Sequence, residues 1–358
     1  MRILVTGATG YIGSRLVPEL LARGYSVRCL ARDPKKLSAR GWDGVEIAAG
    51  DVLRPETLPP ALAGIDVAYY LVHSMQGDPR SFAEKDREAA RAFAAAAAEC
   101  GVRRIVYLGG LGSGEELSEH LRSRQETGDV LREGSVGVTE LRAAIIVGSG
   151  SASFEIIRDL ARKLPLMICP RWVNSRCEPI AVRDVLGYLV SLLDEPATAG
   201  GVFEIGGGEV FTYADLMRIC AEEMGRRVRI LTVPFLTPRL SAYWLNLVTA
   251  VPMSIAFPLV EGLRNDVVCR DTSIRGLLPR NLVPFRDAVR MALTQEHEAD
   301  VASRWTGAST AAAAEPWVET SPLFFDRREV AITDALGEFH EAGVMQRVST
   351  GRLQGIGH

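Results

Sequence analysis

The first fourteen residues place a strand, a glycine-rich turn and a helix in immediate succession. Ile3–Val5 is a short apolar run, which is typical of a buried strand. Gly7, Gly10 and Gly13 follow at three-residue spacing, and residues 14–23 have the pattern of an amphipathic helix. Glycines at these positions let the chain reverse, let backbone N–H groups approach a pyrophosphate, and let the helix lie close to the strand. The sequence therefore predicts a dinucleotide-binding site at this turn.

The first half of the chain alternates strand and helix patterns. Residues 65–72 are apolar nearly throughout, as expected for a strand that helices cover on both faces. A long helix with an alanine run is predicted over residues 80–100, and a sixth strand over residues 137–147. Repeated β-α units with short connections predict an α/β fold with a doubly wound parallel sheet, the Rossmann arrangement. A ligand should lie across the carboxyl ends of its strands.

Three segments are predicted along the chain. Residues 1–150 form the nucleotide-binding domain, and residues 151–296 form a smaller mixed α/β lobe on the substrate side. A helix over residues 182–193 and a strand over residues 202–205 are expected to return from this lobe to the main sheet. Residues 297–358 contain an alanine-rich linker and a weakly structured tail.

Composition limits the classes of partner and compartment. The net charge of −3 leaves no basic excess to neutralise phosphates, which argues against nucleic-acid binding. The six cysteines are scattered without a Cys-x-x-Cys pair. This pattern indicates reduced thiols in a cytoplasmic protein and no metal site. Because a strand pattern begins almost at Met1, no signal peptide is expected before it.

Residues 240–260 form a stretch without any charged side chain. Its length would suit a membrane span, but Pro252 and Pro258 interrupt it. Three interpretations stay open: a pair of apolar helices that line a substrate pocket, a peripheral contact with a membrane, and a true span. The first two predict an apolar or lipid-like substrate, and the second predicts a cytoplasmic protein with membrane association.

The residues after the second strand pattern, residues 25–30, bear on which dinucleotide is bound. An acidic side chain there holds the ribose 2′-hydroxyl of NAD, whereas an arginine accommodates the 2′-phosphate of NADP. Arg32 is followed by Asp33, with Lys35 and Lys36 close behind. Because a guanidinium matches phosphate oxygens in geometry and charge, the sequence favours NADP(H) over NAD(H). The alternative is a surface arginine beside an Asp33 that takes the ribose.

Several motifs together resemble a known family. They are the turn Thr6-Gly7-Ala8-Thr9-Gly10-Tyr11-Ile12-Gly13, the Gly50-Asp51-Val52 turn, Tyr70-Leu71-Val72-His73-Ser74, Val106-Tyr107-Leu108-Gly109-Gly110-Leu111 and Glu178-Pro179-Ile180-Ala181-Val182-Arg183-Asp184-Val185. About residues 1–295 resemble the atypical, extended branch of the short-chain dehydrogenase/reductase superfamily, and in particular NAD(P)H-binding proteins similar to the nitrogen-metabolite-repression regulators.

The resemblance implies specific contacts with the cofactor. It places the dinucleotide on Gly7, Thr9, Gly10, Tyr11, Ile12 and Gly13, the adenine beside Asp51 and Val52, and a cofactor ribose beside Leu71, Val72 and His73. The segment from Arg304-Trp305 to Val330 also resembles the linker and first strand of an appended START-like domain. Since only about thirty residues follow it, a truncated remnant is expected.

The chain departs from the superfamily at the active site, where a tyrosine acid with a lysine four residues later is usual. The residues four positions before the four lysines are Ala31, Arg32, Ser81 and Asp159, so the sequence contains no Tyr-x-x-x-Lys. The corresponding helix, predicted over residues 120–132, instead offers His120 and Arg124 on one face. Ser113 lies beyond the fifth predicted strand, residues 103–108.

His120 is a candidate proton donor, with Arg124 orienting the ribose or the substrate. His73, at the end of a strand, is a second candidate acid. The alternative is that none of them is catalytic: His120 would be a surface histidine, Arg124 a structural arginine and His73 a loop histidine bonded to the backbone.

Two classes of function therefore stay open. One is an NADPH-dependent reductase of a small or lipid-like apolar carbonyl or enone. The other is a non-catalytic NADP(H)-binding regulator, redox sensor or assembly factor. The missing Tyr-x-x-x-Lys pair favours the second class, and the apolar second half of the chain favours the first.

Overall fold

A computed structural model describes residues 1–73, 79–112, 117–233, 262–297, 345–349 and 352–355. The chain divides into two compact units, Met1–Ser309 and Thr310–His358. Within the second unit, the described residues form an antiparallel hairpin of Met345–Ser349 and Arg352–Gly355. The elements given below belong to the first unit.

The strands of the first unit are mostly short, and seven of them form the main sheet. In chain order they are β1 Arg2–Thr6, β2 Ser26–Ala31, β3 Glu46–Ala49, β4 Val67–Tyr70, β5 Arg104–Gly110, β6 Gly137–Ala143, β7 Ile146–Val147, β8 Leu166–Pro170, β9 Arg176–Cys177, β10 Ile180–Ala181, β11 Val202–Ile205, β12 Phe211–Thr212 and β13 Arg229–Val233.

The helices alternate with the strands through most of the first unit. They are α1 Gly13–Ala22, α2 Pro34–Ser38, α3 Leu58–Leu62, α4 Pro79–Glu99, α5 Glu119–Arg132, α6 Ala152–Lys163, α7 Val182–Ser191, α8 Tyr213–Glu223, α9 Ser273–Leu277 and α10 Phe285–His297. Short 3₁₀ turns occupy Pro55–Thr57, Arg171–Asn174 and Pro196–Thr198.

The main sheet has the order β11-β6-β5-β4-β1-β2-β3, and every neighbouring pair is parallel. The chain winds outward from β1 through β2 and β3, then returns to β4 on the other side of β1. The prediction of a doubly wound parallel sheet is therefore confirmed, with the switch point between β1 and β4. Loops from these strands meet at one edge, where a crevice for ligands is expected.

Separate apolar cores cover the two faces of the sheet. On one face, Leu16 and Leu20 of α1 pack with Val185 and Leu189 of α7. On the other face, helices α3, α4 and α5 pack against the strands, with Phe93 fully buried at the centre. β11 pairs with β6 at the edge of this sheet, and α7 packs beside α1 on the same face.

A third apolar core is built mainly from helices α6, α8 and α10. Thr212 caps α8 by accepting a hydrogen bond from the backbone N–H of Asp215, whose carboxylate accepts from the backbone of Thr212 in return. This capping box satisfies two N–H groups at the start of the helix.

The predicted sixth strand, residues 137–147, is wrong in one respect. The chain leaves the main sheet after Ala143, and Ile146–Val147 pairs instead with β10. The apolar run continues through this change because both segments are buried, so composition alone gives no sign of the break. The bend directs Ala144 and Ile145 toward the space beyond the sheet edge.

Several predictions fall outside the described residues. They concern Ser74, Ser113, the uncharged stretch 240–260, and the linker and START-like segment within residues 298–344. Within the part of the chain that the structure describes, no helix combines the length and apolar character needed to cross a bilayer.

Candidate functional site

The glycine turn between β1 and α1 requires glycine at two of its positions. Gly7 has φ of +66°, and a Cβ there would lie 2.6 Å from the carbonyl oxygen of Leu71. A Cβ on Gly13 would lie 2.8 Å from the carbonyl carbon of Gly7 and closer still to its oxygen. The short distances show that the turn lies close against the end of β4, and that the start of α1 lies close against the turn. A helix N-terminus carries the positive end of the helix dipole, so this end of α1 can bind phosphate oxygens.

The predicted cofactor residues at the ends of β1 and β4 lie together. Thr6 Oγ1 donates to the carbonyl of Tyr69 at 3.0 Å and accepts from the N–H of Leu71 at 3.0 Å. Leu71, Val72 and His73 therefore run beside the turn that carries Thr9, Gly10, Tyr11 and Ile12. This juxtaposition follows from the parallel pairing of β1 with β4.

At the end of β2, Arg32 is exposed. One carboxylate oxygen of Asp33 accepts the backbone N–H of Lys35 at 3.1 Å and so caps α2. One oxygen of the Asp33 carboxylate is thus used to cap α2, whereas the exposed Arg32 lies at the carboxyl edge of the sheet. Asp51, after β3, shapes its own turn by accepting the N–H of Leu53 at 3.0 Å, and Val52 is buried beside it.

A cavity of about 760 Å³ opens where the strands of the main sheet end. Its walls come from Tyr11 and Ile12 of the glycine turn, from the ends of β5 and β6, and from the inner side of α6. Most lining side chains are apolar, among them Leu108, Leu111, Ala143, Ile145, Ile156, Ile157, Leu160, Met167, Val173 and Met217. Pro170 and Trp172 also line it.

The titratable groups His73 and His120 lie side by side in the cavity wall. Their rings meet edge to face with centroids 4.9 Å apart, and His73 Nε2 is 3.3 Å from His120 Nδ1. The other ring nitrogen of His73, Nδ1, is 3.0 Å from the Asp86 carboxylate on α4. The side chains of His73 and Asp86 are only 13% and 7% exposed. An Asp86–His73–His120 chain therefore runs from the sheet edge to the cavity.

Burial sets the protonation behaviour of both histidines. It lowers the pKa of His73, while the hydrogen bond to Asp86 acts in the opposite direction. The pKa of His120 is held well below its usual value by burial, by His73 and by the positive charge of Arg124. The position of His120 in the first turn of α5 adds to this effect, because a helix N-terminus disfavours a cation.

Arg124 lines the same wall and also forms hydrogen bonds with residues of β5. Its guanidinium donates to the carbonyl of Leu108 at the end of β5, and its own carbonyl accepts the hydroxyl of Tyr107 at 2.8 Å. The carboxyl end of β5 is fixed by these bonds. Among the described residues that line the cavity, Arg124 is the one arginine or lysine. Its positive charge is therefore placed to attract an electron-rich group there.

Asp86 is the candidate residue that sequence reasoning missed. It lies in a charged run, residues 84–88, which has the composition of a solvated helix face. Its helical spacing could have identified it, because Asp86 shares one face of α4 with Ala90, Phe93 and Ala97, all of which are buried. A carboxylate on the buried stripe of a helix needs a partner, and His73 is that partner. The described residues contain no cluster of side chains suited to a metal ion.

Comparison with known proteins identifies the first domain. Residues 7–146 match a family model described as NAD(P)H-binding. The chain is 25% identical over 237 residues to the photosystem II assembly factor Ycf39 of Trieres chinensis, which covers 65% of the chain and 72% of that protein. It is 27% identical over 236 residues to the ceramide reductase of Caulobacter vibrioides, which covers 65% of the chain and 73% of that protein.

Among solved structures, the Citrobacter sp. triphenylmethane reductase complexed with NADP(H) has the same fold, with a TM-score of 0.66 and 19% identity. The match covers 82% of the chain and all of that protein. The chain therefore contains an NAD(P)H-binding domain of the Rossmann type. Its homologues belong to the atypical short-chain dehydrogenase/reductase family, which includes reductases that act on small molecules. The narrower resemblance to nitrogen regulators and the START-like remnant stay predictions.

Proposed function

We propose that this protein is an NADPH-dependent reductase of a small, apolar or lipid-like carbonyl or enone. One observation carries the proposal: a single, mostly apolar cavity joins the glycine turn to the two histidines. Gly7 and Gly13 keep the turn in the form that a pyrophosphate requires, and residues 71–73 lie beside it. When bound, the reduced nicotinamide would supply a hydride. The apolar walls exclude water and take up the body of the substrate.

Arg32 is proposed to select NADPH over NADH. Replacing it by alanine should weaken NADPH binding by about 10-fold and leave NADH binding nearly unchanged, since a charge-assisted hydrogen bond is worth about 1.5–3 kcal/mol and this one is exposed. Titration of both nucleotides by fluorescence measures the ratio. Arg218→Ala is the matched control, because Arg218 is an exposed arginine on α8 that pairs with Asp215. An Arg32→Ala protein that binds NADPH as tightly as this control would contradict the assignment.

The proposed activity is tested by NADPH consumption against a panel of aromatic ketones, long-chain ketones and enones of graded length. Turnover should rise with the apolar surface of the substrate, because the cavity offers few polar partners. The ceramide reductase among the relatives supports a lipid-like substrate, and the triphenylmethane reductase supports an aromatic one. A preference for small hydrophilic carbonyls would contradict the proposed substrate class.

The second candidate function is a non-catalytic NADP(H)-binding regulator, redox sensor or assembly factor. The missing Tyr-x-x-x-Lys pair favours it, as does the assembly factor among the relatives. Tight NADPH binding without turnover of any panel member would support this function over the reductase.

Residues 240–260 are proposed to contribute to the substrate side, with peripheral contact to a membrane from the cytoplasm as part of the proposal. Their uncharged composition supports both roles. Sedimentation with anionic lipid vesicles tests the membrane contact, and protein that stays in the supernatant would contradict it.

Residues 1–150 and 151–296 are proposed as the cofactor and substrate parts, and residues 297–358 as dispensable for cofactor binding. Deleting residues 300–358 should leave the dissociation constant for NADPH within a few-fold of the full chain, because the glycine turn and the ends of β1, β2 and β4 lie far earlier in the sequence. Equilibrium titration of the shortened protein measures this. Loss of soluble protein on deletion would show that the tail supports the fold.

A further inference from the structure

We propose that Asp86, His73 and His120 form a proton relay that delivers a proton into the cavity from His120 Nε2. The inference rests on the proposed reductase function and names the path that replaces the missing tyrosine–lysine pair. His120 is the group that meets the substrate. His73 and Asp86 act through it.

The geometry fixes which atoms face each other along the path. The Asp86 carboxylate accepts the hydrogen of His73 Nδ1 across 3.0 Å, which leaves His73 Nε2 to face His120 Nδ1 across 3.3 Å. His120 lines the cavity and its Nδ1 faces His73, so Nε2 is the nitrogen that the relay assigns to a ligand in the cavity. Each ring nitrogen along the path thus has an assigned partner.

The charged and titratable groups around the pair come from each element that packs against it. Asp86 on α4 faces His73, Arg124 lies one turn beyond His120 on α5, and Tyr107 on β5 bonds to the backbone of Arg124. Because Asp86 is the acidic group beside the rings, the proton that the pair takes up is better placed on His73 than on His120. Arg124 opposes a charge on either ring.

Two protons move along this path in each transfer. In the charged form, His73 carries hydrogens on both nitrogens and His120 carries one on Nε2. The substrate oxygen takes the proton of His120 Nε2, and the proton of His73 Nε2 moves to His120 Nδ1. His73 keeps the hydrogen that it shares with Asp86, and the pair returns to neutrality. The hydride of a reduced nicotinamide supplies the two electrons, and the next proton comes from solvent.

A buried histidine such as His120 is rarely charged, because burial lowers its pKa. The proton need not reside on His120, since it is held beside Asp86 and moves only when the substrate withdraws one. Burial lowers the pKa of the charged histidine pair, which makes the pair as a whole a stronger acid toward a developing alkoxide. Asp86 therefore fixes the tautomer of His73 and compensates its charge, as a carboxylate does for a catalytic histidine.

The first test uses Asp86→Asn in the full chain, with Glu126→Gln as the control. Glu126 is a carboxylate on α5 whose partner is the partly exposed Arg87, outside the cavity. The chain has five histidines, so ¹⁵N spectra of the imidazole nitrogens can be assigned with His73→Gln and His120→Gln. Asp86→Asn should change the tautomer of His73 and move the titration of both rings to lower pH, whereas Glu126→Gln should move neither. Unchanged ring signals in Asp86→Asn would overturn the relay, whether or not the protein is a reductase.

The second test measures turnover of the best panel substrate. Asp86→Asn should lower kcat by roughly 10- to 100-fold, with KM and NADPH affinity little changed, because it acts on proton transfer and not on binding. The dependence of kcat on the deuterium fraction of the solvent should curve in the wild type, since two protons move together. It should become linear in His73→Gln, which also replaces Asp86→Asn if that protein does not fold. A linear dependence in the wild type, or equal kcat in Asp86→Asn and Glu126→Gln, would overturn the relay. If the ring signals respond to Asp86→Asn but no substrate is turned over, the hydrogen-bonded chain is supported and the proposed reductase activity is contradicted.

Discussion

Gly13→Ala is expected to remove most of the affinity for NADPH, by about 100-fold or more, which corresponds to roughly 2.8 kcal/mol. An added Cβ would meet the carbonyl group of Gly7 and the Cα of Ala8, all of them backbone atoms that no side-chain rotation can clear. The start of α1 must therefore move away from β1, and its N–H groups leave the position that a pyrophosphate needs. Overpacking of this kind also lowers the free energy of unfolding by about 1–3 kcal/mol.

Gly137→Ala is the matched control for this experiment. Gly137 begins β6, is exposed, and has nothing within 4 Å of the position of an added Cβ. The two proteins are compared by fluorescence titration with NADPH at a temperature where circular dichroism shows both to be folded. If Gly13→Ala bound NADPH within a few-fold of Gly137→Ala, the glycine turn would not be the pyrophosphate site. The cofactor would then have to enter the cavity by another wall.

The glycine turn and the sheet could be predicted because their signals are local. Ile3–Val5, the glycines and the first helix follow one another within about two dozen residues, and each reports its own conformation through its periodicity. The parallel order of the sheet then follows from repeated β-α units, since each crossover must keep the same hand. The same reasoning failed after Ala143, because a strand that changes partner stays apolar throughout.

The proton path could not be predicted in the same way, because it depends on how α4 and α5 pack together. His73 lies just after β4, Asp86 follows 13 residues later, and His120 lies 47 residues beyond His73. No local pattern specifies that these three side chains meet. The resemblance to reductases indicates His120 and Arg124 by their helix position, and the strand pattern before His73 indicates that residue. The contact between the two rings, and the Leu108 bond of Arg124, required the tertiary structure.

His120→Gln is expected to lower kcat by about 100- to 10,000-fold, the usual worth of a general acid. Glutamine is close to histidine in size and can still hydrogen-bond to His73, but it has no proton to give near neutral pH. Because the protonated form of the histidine pair is the active one and burial lowers the pKa of both rings, wild-type kcat should rise as pH falls below neutrality. His120→Gln should lose that rise. NADPH affinity should stay unchanged, since the cofactor contacts come from other elements.

Arg122→Gln provides the control on the same helix, because the Arg122 side chain is exposed and its guanidinium donates to the carbonyl of Leu117. A structural role for His120 predicts a different outcome, in which stability falls and kcat and KM worsen together while the pH profile keeps its shape. Thermal unfolding, measured beside kcat, separates these cases. If His120→Gln turned over the substrate within a few-fold of Arg122→Gln, the donor would have to be sought elsewhere in the cavity wall. Arg124 could not replace it, because a guanidinium does not release a proton at these pH values.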